Sequence, residues 1–384
     1  MARSRADRAR RAASAAVPRY DSPHDTTEQR TGVGIDRRAE SYPSYPRRRF
    51  VTGLAALGAG ALAPGAGTAA QAGGARDRPH RIDVHHHLLP PAYLAEIASR
   101  RAGPVPEWSP ARSIEEMHRN GIASAAVSLI QPAVWFGDVE LGRKLARLSN
   151  DYAAQMARDH PGRFGSFACL PLPDADGSLK EIEYALDQLK ADGIGLMTSY
   201  GDKWLGHEAF APVWEELDRR KAVVYTHPLA PECCRNLKYD VPLSAIEYAT
   251  DTTRSIASVL FSGTAARYPD IRWIFSHRGG TAPFLLSRFT RYEAEMKDRE
   301  RRLPRGVLYE LKKFYYDTAQ GNHPGALAAL LKLVPVPQVL YGTDFPFRGA
   351  AEENAGIAAQ RFEPKALRAI ERDNALKLLP RFAA

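Results

Sequence analysis

The stretch Arg81-Ile82-Asp83-Val84-His85-His86-His87-Leu88 decides how the rest of the chain is read. A short apolar, β-branched run closes on a histidine triplet. The same grammar recurs downstream: an apolar run, a loop with polar or aromatic residues, then an amphipathic stretch of helical period. Strands are expected near 82–85, 123–129, 163–169, 194–198, 222–226, 272–276, 313–316 and 338–341. Helices are expected over 139–159, 178–191, 209–220, 244–266, 283–299 and 324–332. Eightfold strand-helix alternation over about 300 residues predicts an α/β fold, a (β/α)8 TIM barrel, spanning residues 81–384. No Gly-x-Gly-x-x-Gly follows the first strand, which argues against an open doubly wound sheet.

In such a barrel the chemistry sits at the C-terminal ends of the strands. Side chains of an extended segment alternate, so His85 and His87 face one side and His86 the other. Two steps of about 3.3 Å bring the pair close enough to share one ion. A His-x-His pair alone is weak evidence. The fifth expected strand, however, ends Val223-Val224-Tyr225-Thr226-His227, the sixth ends Trp273-Ile274-Phe275-Ser276-His277, and the eighth ends Val339-Leu340-Tyr341-Gly342-Thr343-Asp344. Four polar endings at one mouth point to a site.

Charge and cysteine usage exclude other classes. The net charge of +9 belongs mainly to Met1–Ala72, which hold 12 Lys+Arg against 6 Asp+Glu and leave 41 basic and 38 acidic residues elsewhere. The folded part therefore offers no electrostatic case for nucleic acid. Three cysteines, Cys169, Cys233 and Cys234, cannot build a disulfide framework and are read as structural thiols. Residues 1–46 are polar, Arg-rich and without periodicity, as expected of a disordered basic extension. Residues 47–72 begin Arg47-Arg48-Arg49-Phe50-Val51, run through an uncharged Gly/Ala/Leu stretch and offer the small-x-small site Ala70-Gln71-Ala72. This segment looks like a twin-arginine export signal, with 73–80 as a linker. It lacks the hydrophobic density of a stable membrane helix. An exported protein, with no stable membrane insertion of the mature chain, is the expectation.

The strand-end set resembles the amidohydrolase superfamily, and within it the metal-dependent decarboxylase branch typified by aminocarboxymuconate semialdehyde decarboxylase. The resemblance runs from about Arg81 to the tail Asn374-Ala375-Leu376-Lys377-Leu378-Leu379-Pro380. It implies that His85, His87, His227 and Asp344 are metal ligands and that His277, in Ser276-His277-Arg278-Gly279-Gly280, is a catalytic histidine. Members usually carry Gly where Arg278 stands, a departure that bears on loop shape or on charge near a substrate carboxylate. The resemblance also implies that Arg288 reaches a neighbouring subunit's active site, hence a homodimer. The loops 130–138 and 84–91 look most like members that act on 6-methylsalicylate-type acids.

Three neutral histidines and one carboxylate suit one Zn²⁺ per chain, and Mn²⁺ also fits. The fourth strand reads Gly195-Leu196-Met197-Thr198, without the lysine that binuclear members carry, so one metal is expected. Asp83 and Asp317 each have two readings: a brace for a ligand imidazole, or a buried carboxylate satisfied by backbone amides. Trp108, Trp135, Phe136 and Tyr200 fall on loops after the first, second and fourth strands, where an aromatic-lined substrate pocket would form. A small aromatic carboxylic acid is the expected partner. Non-oxidative decarboxylation of an ortho-hydroxy aromatic or related enolic acid is the favoured chemistry, with Asp344 or His277 delivering the proton. Metal-dependent hydrolysis of a lactone, amide or ester uses the same ligands and is the alternative. An exported, non-catalytic metal- or acid-binding protein is a third reading, which a positioned acid/base such as His277 argues against.

Overall fold

The computed structural model describes residues 79–100, 105–234, 241–320 and 323–383. The extension 1–46, the signal segment 47–72 and all but the end of the linker 73–80 lie outside the described residues. The expected strands are all present: β1 (Arg81–Leu88), β2 (Ile122–Leu129), β3 (Phe164–Cys169), β4 (Gly193–Met197), β5 (Val223–His227), β6 (Arg272–Phe275), β7 (Tyr315–Asp317) and β8 (Val339–Leu340). They form one parallel sheet in chain order. The last strand returns to the first: the Val84 amide donates to the Tyr341 carbonyl at 3.0 Å, Asp344 to His85 at 2.8 Å and His87 to Phe345 at 2.8 Å. The sheet is thus a closed barrel, which leaves no exposed strand edge.

One face of every strand packs against helices. The other fills the barrel, where Ile82, Val84, Ala126, Phe167, Val223, Tyr225, Ile274 and Leu340 form one cluster with Ala375, Leu378, Leu379 and Phe382 of the C-terminal segment. That segment supplies an apolar plug. At the opposite end the interior turns polar.

β1 carries the irregularity that matters most. Asp83 pairs with Ala125 and His86 with Val127, so β1 spends three steps where β2 spends two. This bulge inserts one residue and reverses the parity of the strand. Ile82 and Val84 face the barrel before it; His85 and His87 do so after it.

The helix Val139–Asp159 begins at Asp138, whose carboxylate accepts from the Leu141 amide at 3.0 Å. Two expected helices are broken. The first stops at Phe261 and resumes as Thr264–Arg267, because Gly263 adopts φ 85° where an added Cβ would lie 3.1 Å from the Arg302 Cα. The other starts as a 3-10 turn at Ala282–Leu285, continues as Leu286–Glu295 and yields to extended Met296 before Arg299–Arg302. Helices at Pro91–Ile97 and Pro110–Arg119 were not expected; each opens on a proline, which is favourable only in a first turn. No helix among the described residues is long and apolar enough to cross a membrane. All three cysteines are unbridged, with the Cys233 and Cys234 sulfurs 3.5 Å apart.

Candidate metal centre

His85, His87, His227, His277 and Asp344 converge at the polar mouth, and none is more than 7% exposed. The ligand atoms of His85, His227, His277 and Asp344 all lie within 4.8 Å of one another. His87 joins them through Asp344, with its Nε2 3.0 Å from Oδ1. The same Oδ1 lies 3.2 Å from His85 Nε2 and 4.0 Å from His227 Nε2. Asp344 Oδ2 faces His277 Nε2 at 3.3 Å and accepts from the Gln320 amide. The cluster thus has five members, and geometry brings His277 close enough to ligate as well as to catalyse.

Hydrogen bonding separates the histidines into two kinds. His85 donates Nδ1–H to Asp317 Oδ2 at 2.8 Å, His227 donates to the Pro228 carbonyl at 2.8 Å, and His87 donates to the Ser128 carbonyl at 3.3 Å. In a neutral ring each bond fixes the tautomer that leaves a lone pair on Nε2. The Nε2 atoms of His85 and His227 are buried without a hydrogen-bond partner. Leaving a buried polar atom unsatisfied costs about 1–3 kcal/mol, so two such atoms aimed at one carboxylate fit a cation between them. His277 differs, because its buried Nδ1 has no partner and its Nε2 meets only Asp344. No backbone acceptor locks its tautomer.

The electrostatics divide the cluster: two carboxylates favour positive charge at His85, while burial disfavours it at His87 and His227. Burial works against protonation of His85, yet the Asp317 and Asp344 carboxylates overcome it and push the group up to about 10. Burial, then the neighbouring His87 and His85, hold His227 well below its ordinary value. His87 is lowered, chiefly by burial. For Asp344 burial again opposes ionisation, but the positive charge of His85, with His277 and His87 close by, drives it well below the usual carboxylate range.

The turns after the strands aim these groups. His277, Arg278, Gly279 and Gly280 have φ of 51°, 60°, 73° and 63°, a left-handed run that swings His277 into the mouth. Gly280 is required there, since an added Cβ would fall 2.0 Å from the Ala249 carbonyl oxygen. Asp344 is itself left-handed, with φ 67°.

Asp317 fulfils the bracing role: beside its bond to His85 it accepts from the His277 amide at 2.8 Å. Asp83 does not brace His85 or His87 through their rings. It accepts from the His85 amide at 3.0 Å and from Thr343, and it pairs with the outward-facing His86 at 3.0 Å. Trp108 lies on that outer side too, donating its indole N–H to Ser113 Oγ at 2.9 Å. The Tyr200 ring is buried, and its hydroxyl accepts from the Met197 amide at 3.1 Å. Trp135 and Phe136 are half-buried against the outer core. Arg288 is exposed on the helix Leu286–Glu295. Arg278 donates to the Thr318 and Ala319 carbonyls at 3.1 and 2.9 Å and so ties the β6 and β7 loops together.

Sequence reasoning missed several contributors. Phe347 sets its ring edge-on to His87 at 5.6 Å, and Tyr248 meets His227 at 6.3 Å. The only sequence signal of Phe347 is an aromatic residue soon after a strand end, and Tyr248, inside the helix Leu243–Phe261, carried none. Gln320 carried none.

A profile of the amidohydrolase family matches residues 82–381. The chain belongs to the amidohydrolase family. Decarboxylase yanB of Aspergillus niger is 37% identical over 328 residues, covering 79% of this chain and 88% of that protein. The 6-methylsalicylic acid decarboxylase acuB of Aspergillus aculeatus is 34% identical over 321 residues, covering 78% of this chain and 96% of its own length. These relatives put the chain in the decarboxylase branch of the family. A solved amidohydrolase II superposes with a TM-score of 0.73 at 29% identity, covering 78% of this chain and 99% of that structure.

Proposed function

We propose that this protein is a metal-dependent carboxy-lyase that removes CO2, without oxidation, from an aromatic acid bearing a hydroxyl ortho to its carboxylate, of the 6-methylsalicylate type. The observation that carries the reading is the set of tautomer-locked imidazoles around Asp344 Oδ1 in a chain whose relatives are decarboxylases. His85, His87, His227 and Asp344 are the ligands in this reading. His277, the one member without a locked tautomer, carries the proton. Zinc is the proposed ion, at one per chain, supported by the three-nitrogen, one-carboxylate donor set; manganese suits the same donors.

When bound, the divalent cation supplies the charge that orients the substrate carboxylate and its ortho oxygen and draws electron density from the ring. The residues supply the rest. Breaking the ring–carboxylate bond leaves an electron pair on the ring carbon, which must take up one proton. His277 Nε2 and Asp344 Oδ2, 3.3 Å apart, are the pair that would hold and deliver that proton. Asp317 keeps His85 and the His277 backbone in register while it moves. Phe347 and Tyr248 offer the apolar surface that a planar ring requires.

A homodimer belongs to the proposal, supported by exposed Arg288 and Tyr292 (53% exposed) one turn apart on the helix Leu286–Glu295, with exposed Phe284 (67%) in the 3-10 turn just before it. Export through the Arg47–Arg48 signal is proposed on its sequence pattern; N-terminal sequencing of the protein recovered outside the cytoplasm should begin near Gly73.

The deciding experiment incubates metal-loaded enzyme with a panel of hydroxybenzoates and simple lactones and weighs the products. Loss of the mass of CO2, abolished by chelation, supports the lyase. Gain of the mass of water identifies the hydrolase, and no turnover on any member of the panel supports a binding protein.

A further inference from the structure

We propose that Gln320 is a positioning residue for Asp344 and that Arg278 holds it in place. The two oxygens of Asp344 occupy different surroundings. Oδ1 sits among the His85, His87 and His227 Nε2 atoms, at 3.2, 3.0 and 4.0 Å. Oδ2 is turned away from that group and meets His277 Nε2 and the Gln320 side-chain amide. Rotation about the Asp χ2 bond is soft, so a carboxylate beside a cation readily exchanges its oxygens or offers both. An amide donor on Oδ2 suppresses that exchange. It dedicates Oδ1 to the ligand set and Oδ2 to the proton-carrying histidine, and, being neutral, it does so without competing for the proton.

The backbone around Gln320 is built for this task. Gln320 has φ 55°, an uncommon conformation for a residue with a Cβ, which persists only where its surroundings over-determine it. The Ala319 amide donates to Asp317 Oδ1 at 3.1 Å, the Gly342 amide donates to Thr318 Oγ1 at 3.2 Å, and the Thr318 amide donates to the Leu340 carbonyl at 3.0 Å. The two carbonyls immediately before Gln320 are those of Thr318 and Ala319, and both accept from Arg278 Nη1. Arg278 is also left-handed, with φ 60°, and directly follows His277. One guanidinium thereby couples the loop that carries the proton-carrying histidine to the loop that pins its partner carboxylate. A glycine at 278 would satisfy the backbone angle more easily and provide no such link.

The activity readout of the test rests on the decarboxylase reading; the spectroscopic one does not. Gln320→Leu keeps the side-chain bulk and removes the donor. Loaded with Co²⁺, it should retain one equivalent of metal and the parent melting temperature, while its visible absorption bands shift as Asp344 changes its binding mode. Its kcat for CO2 release should fall about tenfold or more, with KM changed less than about twofold, as for loss of a partner outside the ligand set. Arg278→Gly should shift the same bands in the same direction by a smaller amount, and Arg278→Lys should restore part of the parent spectrum. Unchanged cobalt bands in both Gln320→Leu and Arg278→Gly would overturn the proposal, whatever happens to turnover. So would a fall in melting temperature that accounts for the whole loss of activity. If no acid is decarboxylated by the parent enzyme, the cobalt spectra still decide the positioning role, so the two failures are distinguishable.

Discussion

The two ends of the barrel interior are made of the same eight strands and do opposite work. At one end Ile82, Val84, Phe167, Tyr225 and Leu340 close on the C-terminal plug of Leu378, Leu379 and Phe382. At the other, a few residues further along the same strands, four histidines and an aspartate are buried with unsatisfied nitrogens. Apolar burial at about 25 cal/mol per Å² stabilises the first end. Buried polar atoms make the second end a cost to folding, which the apolar burial of the plug and of the outer core offsets. The contrast separates what keeps the chain folded from what makes it an enzyme, and it can be broken by experiment.

The largest effect is expected from His277→Ala, which should lower kcat by roughly 10²–10⁴-fold while metal content and melting temperature stay at parent values. Metal analysis of the purified variant is the check, because joint loss of metal and turnover would move His277 into the ligand set. Phe382→Ala comes next and inverts the pattern. Removing this ring from the plug should destabilise the protein by about 3–5 kcal/mol in denaturant unfolding, with kcat per folded molecule preserved. A changed kcat there would mean that the ends are coupled. Asp317→Asn strikes the brace on His85 and on the His277 backbone, and competition with a chelator should report a loss of metal affinity of roughly 10–100-fold. The smallest change is Ser113→Ala. Ser113 bonds the outward-facing His86 at 3.0 Å and Trp108 at 2.9 Å, so the variant should lose about 1–3 kcal/mol of stability and leave the cobalt spectrum untouched. A spectral shift would show that the outer face of β1 reaches the site.

Much of this is legible in the sequence alone. The helix 139–159 has the bounds its periodicity predicts, and the eight strands fall where the apolar runs do. His85, His87, His227, His277 and Asp344 each end such a run, and the barrel brings those ends together. What stayed hidden came from contacts between distant segments. Asp83 and Asp317 read alike as acids near strand residues, yet Asp317 braces His85 across 232 positions and Asp83 binds His86 and Thr343. Tyr200 looked like a pocket residue, but its hydroxyl is spent on a backbone amide. Gln320 is an ordinary loop glutamine until the β7 and β8 loops lie side by side.

The sequence by itself determined the alternation of strand and helix, the barrel class and the identity of the five polar residues at the strand ends, because apolar periodicity and residue chemistry are local properties. Only the tertiary structure decided which way those residues point. Strict alternation along β1 would put His86, not His85 and His87, on the face that Ile82 and Val84 share. The bulge between Asp83 and His86 reverses that parity. It exists because β1 must pair with β2 on one side and with the segment after β8 on the other, a constraint written in three separate stretches of chain.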